Sequence, residues 1–159
     1  MKGLKRHCGL NSTVKRKTKM THEEARMFVK DHIKYKGNKP IQTSEHLVRY
    51  WWGVLNTSVF YGRLHKPVKV QIKGMRDSLA WAETNDKKIG RVNIRMQRKF
   101  SSKLLFVTIL LHEMVHAWEH QHHTVMGHGK RFHAWRNRIT WTVGLELKET
   151  HHDDDYRYE

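Results

Sequence analysis

The apolar positions of this chain change period twice along its length, and those changes divide it into elements. Ala25, Phe28, Val29, His32 and Ile33 recur at helical spacing. Ahead of them, Thr21-His22-Glu23-Glu24 has the form of a capping box, with Thr21 as N-cap and Glu24 reaching back to its amide. Gly37 and Pro40 end that helix. A second helix starts near Thr43 or Ser44, with Leu47, Tyr50, Trp51, Val54 and Leu55 as its buried stripe. After Pro67 the period drops to two. Val68, Val70 and Ile72 alternate with Lys69, Gln71 and Lys73, the pattern of a half-buried strand. Leu79, Trp81 and Glu83 predict another strand, and Val92 with Ile94 a third, separated by turn residues that include Gly74, Asp77, Asn85 and Gly90. Connections this short predict an antiparallel meander. From Ser101 or Ser102 the pattern is helical again, and Leu104, Leu105, Val107, Thr108, Ile109 and Leu111 make the helix apolar nearly all round. A final helix follows Gly129, with Phe132, Trp135, Ile139 and Trp141 on its buried side.

The chemistry lies on the apolar helix. His112-Glu113-Met114-Val115-His116 is an H-E-x-x-H motif. Histidines four apart sit one turn above each other on one helix face, so both imidazoles can reach one ion. Zinc accepts such nitrogens at about 2.0–2.1 Å in a tetrahedral shell. Glu113, beside the first ligand, is placed to take the proton of a water acidified by the metal. The bland alternative is a helix with unrelated histidines, since the chain holds 14 of them. Against it, Leu110, Leu111, Met114 and Val115 mark a buried helix, and burying two histidines and a glutamate without partners costs several kcal/mol.

A catalytic zinc needs a third protein ligand and one open position. His120 continues the face of His116 but lies a further turn away. His122 completes the metzincin spacing, yet Glu119 stands where those enzymes need a glycine to turn the helix. His128 is flanked by Gly127 and Gly129, which let the backbone turn and aim an imidazole, and it is the favoured third ligand over His122.

Composition adds one strong feature. Lys and Arg number 31 against 15 Asp and Glu, a formal net charge of +16. Such a field attracts polyanions, with DNA or another nucleic acid foremost. Residues 1–20 are basic without an acidic residue and read as a flexible arm, either a solvated tail or a strand-hugging one. Residues 21–148 form the single domain, and 149–159 a polar tail. Cys8 is the only cysteine, which excludes an intrachain disulfide and a cysteine-based zinc ribbon. With no signal-peptide core and no apolar run long enough to span a bilayer, the expectation is a cytoplasmic protein without membrane contact.

Leu110-Leu111-His112-Glu113-Met114-Val115-His116-Ala117, followed by Gly127-His128-Gly129-Lys130-Arg131-Phe132, resembles the SprT-like (Spartan-type) zinc metallopeptidases. Asn56, Phe60, Gly62 and Leu64, and Val92-Asn93-Ile94, extend the resemblance more loosely over residues 44–142. It implies an α+β zincin of the minigluzincin type: a small antiparallel three-stranded sheet packed on the active-site helix, plus N-terminal helices. It also implies His112, His116 and His128 as ligands of Zn2+, Glu113 as the catalytic base, and protein substrates associated with or crosslinked to DNA. Many relatives carry a cysteine-rich ribbon that this chain lacks, so DNA contacts would fall to its basic surface and N-terminal arm. Ribbon-less forms occur in bacteriophages, which makes a phage source, and hence a host cytoplasm, an expectation. Substrate is expected to lie extended beside an edge strand, that of Val92 and Ile94. The competing reading is a non-catalytic, zinc-containing nucleic-acid-binding or assembly protein, although a structural site has no need of Glu113. A nuclease is disfavoured, because no aspartate cluster accompanies the motif.

Overall fold

The computed structural model describes residues 19–123 and 126–148. The arm expected at 1–20, save Lys19 and Met20, and the tail expected at 149–159 lie outside them. The order is α1 (His22–Lys36), β1 (Ile41–Gln42), α2 (Glu45–Val59), β2 (Lys69–Ile72), β3 (Ala80–Thr84), β4 (Val92–Met96), β5 (Lys99–Phe100), α3 (Lys103–His123) and α4 (Lys130–Val143). The class is α+β. None of the described helices is long and apolar enough to cross a membrane.

Helix α1 starts where Thr21 Oγ1 accepts the Glu24 amide at 3.2 Å. The Glu24 carboxylate meets the Thr21 hydroxyl at 3.0 Å rather than the Thr21 amide, so the box closes side chain to side chain. Ser44 caps α2 by accepting the Leu47 amide at 3.1 Å. The buried stripe of α2 runs through Val48, Trp51, Trp52, Leu55 and Val59. Trp52, only 1% exposed, takes the inward position expected of Tyr50, which is 45% exposed. Residues two apart point to nearly opposite sides of a helix, so Tyr50 and Trp52 cannot both face the core, and the packing took Trp52.

The three-stranded sheet corrects the expected meander. Its order is β2-β4-β3, with β4 antiparallel to β3 but parallel to β2. Parallel pairing needs a long crossover. Here residues 73–91 supply it and contain β3 on the way. Strand β4 takes the centre because Val92, Ile94 and Met96 are its most completely buried alternation, at 2%, 0% and 0% exposure. The strand of Val92 and Ile94 is therefore no edge, and it cannot receive an added strand. The odd positions of β3 face outward, leaving Trp81 55% exposed.

A second, two-stranded pairing of β1 with β5 ties the α1–α2 connection to the entry of α3. That entry is fully provided for: Lys103 and Leu104 donate to the carbonyls of Lys39 and Gly37 at 2.8 and 3.0 Å, and Leu105 donates to Ser102 Oγ at 3.1 Å. From Leu105 to Val115 every residue of α3 is buried. The helix runs through the core, between the sheet and α4. Helix α4 ends at Gly144, whose φ of 74° is a left-handed cap suited to glycine. The chain then folds back so that Leu145 and Leu147, 2% and 0% exposed, re-enter the core. Trp141, expected inside, is 87% exposed because Phe132, Trp135, Ile139 and Val143 already complete the inner face.

Candidate metal centre

Helix α3 continues without a break from Lys103 to His123, so His112 and His116 stand on consecutive turns. Their Nε2 atoms are 3.1 Å apart. The loop between α3 and α4 brings His128 across, with its Nε2 also 3.1 Å from that of His112. One ligand nitrogen from each of the three lies within 4.8 Å of the others. Tetrahedral ligation at about 2.1 Å separates nitrogens by about 3.4 Å, so two edges of this triangle already have the required scale. His120 and His122 lie outside the group. His122 is exposed, with Nδ1 2.9 Å from the Trp118 carbonyl and its ring stacked on that indole at 4.5 Å.

A single side chain holds the three rings together. Phe132, fully buried, lies 4.9 Å from the His112 ring, 5.6 Å from His116 and 4.8 Å from His128, measured between centroids. The ring pairs are edge-on or stacked, the favourable arrangements for aromatic contacts.

The far sides of the two helical imidazoles differ. His112 Nδ1 is 3.0 Å from the Lys148 carbonyl, which can only accept, so that nitrogen carries the proton and Nε2 carries the lone pair. His116 Nδ1 is buried without a hydrogen-bond partner, and Glu119 Oε1 lies 3.7 Å from it. Burial, and secondarily His128, push the His116 imidazole down to about 4, so it stays neutral. Neutral imidazoles whose lone pairs converge repel one another unless a cation lies between them. The orphaned His116 Nδ1 and this donor set both fit a metal with three protein ligands and an open fourth position.

Glu113 follows His112 directly on α3. It is 9% exposed. Burial pushes its carboxyl up to about 7, opposed by the backbone N–H of Ala82 on β3, which donates to it. A cavity of about 620 Å³ bounded by Ile41, Leu79, Gln97, Phe100 and Leu105 includes none of these residues.

Reading the sequence left out four contributors: Phe132 as the floor of the rings, Ala82, Glu119 and the Lys148 carbonyl. Glu119 had a usable signal, since it stands three residues beyond His116 on the same helix. The amide of Ala82 and the carbonyl of Lys148 are main-chain groups, and residue type carries no mark of them.

Among curated proteins none matches the chain. The SprT-like family model matches residues 48–151, well over half of the chain, and that span holds His112, Glu113, His116 and His128. This protein is accordingly a member of the SprT-like family.

Proposed function

We propose that this protein is a zinc-dependent endopeptidase of the zincin type that acts on proteins associated with or crosslinked to DNA. The observation that carries the reading is the convergence of His112, His116 and His128 beside the buried carboxyl of Glu113. Three imidazoles with an open position favour zinc, and a bound zinc supplies a Lewis acid and acidifies water.

Glu113 then serves as the proton acceptor during attack on the substrate carbonyl, and as the donor to the departing amine. A carboxyl pushed toward neutrality is suited to both transfers. Substrate is aligned by β3. Leu79 accepts from the Gln97 amide and Asn85 donates to the Arg91 carbonyl, so the odd residues of β3 face β4 along the ladder. The even residues Ala80, Ala82 and Thr84 turn their main chain to the other edge, which pairs with no strand among the described residues. That edge meets α3 at Glu113, and an extended peptide added there would bring a carbonyl to the metal.

Charge supports the DNA part of the reading. Helix α4 follows directly on His128 and carries Lys130, Arg131, Arg136 and Arg138 without an acidic residue. Nucleic acid held there would deliver its bound proteins to the metal. The test is cleavage of casein or histone by zinc-loaded protein, with and without single-stranded DNA, alongside Glu113→Gln. Cleavage that needs zinc, rises with DNA and vanishes in the variant is the expected result. Equal cleavage by the variant would remove Glu113 from the mechanism. No cleavage by zinc-loaded wild type would favour a non-catalytic protein.

A further inference from the structure

Glu119 stands out among the groups near the site that peptide hydrolysis does not use. It is an acidic residue near the end of α3, yet only 4% exposed. Burying a carboxylate is costly unless something holds it. One partner is the backbone N–H of Gly127, which donates to it from the loop that carries His128, and Arg131 adds an attractive field. Its Oε1 has no hydrogen-bond partner and faces His116 Nδ1, also buried and without one, across 3.7 Å. That gap exceeds a hydrogen bond by less than an ångström and holds two complementary groups, a ring N–H and a carboxylate oxygen.

We propose that Glu119 is a positioning residue of the metal centre, clamping His116 through Nδ1 while its second contact, to Gly127, fixes the loop that presents His128. The inference rests on a metal being held by the triad, and not on the chain being a peptidase. His112 shows the requirement: its Nδ1 already has the Lys148 carbonyl, so its Nε2 is fixed as a ligand. His116 needs the equivalent acceptor. A carboxylate there does more than a carbonyl, because a ring whose Nε2 binds a cation donates more strongly from Nδ1 and gains from a full negative charge. The clamp joins two of the three ligands through one side chain. A small rotation of the Glu119 side chain would close the remaining distance to His116 Nδ1.

The test uses the metal-stripped full chain and zinc alone. Zinc affinity is measured by competition with a chromogenic chelator for wild type, Glu119→Gln and Glu119→Ala. Glutamine keeps the shape and one acceptor, but it cannot serve both Gly127 and His116 and has no charge. Both variants are expected to bind zinc about 10- to 100-fold more weakly. The metal-free Tm of Glu119→Gln should stay within about 2 °C of wild type. A slowly exchanging His116 Nδ1–H proton resonance should be present in zinc-loaded wild type and shifted or lost in Glu119→Gln. Affinities within about threefold of wild type for both variants overturn the clamp, the expected loss being at least tenfold. So does a Glu119→Gln protein whose weaker binding is matched by a destabilised metal-free fold, since that marks Glu119 as structural only. Wild type that takes up no zinc overturns the metal reading, and the clamp with it.

Discussion

Glu113→Gln should stabilise the metal-free protein while abolishing hydrolysis, and the size of the gain should depend on pH in a set direction. Burial moves this carboxyl from its ordinary 4.5 to about 7. Below 4.5 the native and unfolded chains both hold the proton, and the group costs nothing. Between 4.5 and 7 the unfolded chain has released it while the native chain retains it, so stability falls as pH rises. The loss reaches about 3 kcal/mol above neutrality, and only about 1 kcal/mol of it is present at about pH 5. His116 titrates in the opposite sense. Its folded value is pushed from 6.5 down to about 4, so its contribution weakens as pH falls below 6.5. The two slopes oppose each other in wild type and flatten its profile, which is why the difference between the proteins is the quantity to read. Glutamine fills the same volume, and its carbonyl oxygen can still accept from Ala82. Urea unfolding of both proteins in the presence of a chelator should give a gap that widens by about 2 kcal/mol between about pH 5 and about pH 8. Parallel profiles, or a variant less stable than wild type at the higher pH, would refute the claim that the site stores a buried charge.

Three further outcomes are expected. Phe132→Ala removes the floor under three imidazoles and should cost about 3–5 kcal/mol in urea unfolding, with weaker zinc binding as the rings loosen. Leu147→Ala, at a fully buried position next to the carbonyl that holds His112, should cost about 2–5 kcal/mol and also lower zinc affinity; unchanged affinity would show that the returning segment does not orient the ligand. His128→Ala should lose stoichiometric zinc by atomic absorption while His122→Ala keeps it, since only the first ring faces the triad.

Much of the site was legible because it is local. His116 stands four positions after His112, and the helical repeat alone stacks their rings, whatever the rest of the chain does. The apolar run from Leu104 to Leu111 likewise announces a buried helix, and α3 is buried continuously from Leu105 to Val115. Alternation identified β2 and β4 as strands. It could not order them, because period two reports which face is buried and says nothing of which neighbour pairs along the edge. The parallel β2–β4 pairing and the outer place of β3 follow from which strand had the most apolar face to bury. Inward and outward choices between large side chains two apart on a helix, as with Tyr50 and Trp52 or Ile139 and Trp141, were likewise set by packing.

By itself, then, the sequence determined the four helices and the three strands of the larger sheet, the paired imidazoles with their neighbouring carboxylate, and the excess of positive charge. Tertiary structure decided what meets them: a loop imidazole from beyond the helix, an aromatic floor, a main-chain carbonyl behind His112 and a buried carboxylate near His116. The physical reason is range. Helical spacing transmits geometry over one or two turns, whereas contacts between distant segments are set by how the core packs, and main-chain donors and acceptors take part without any signature in residue type.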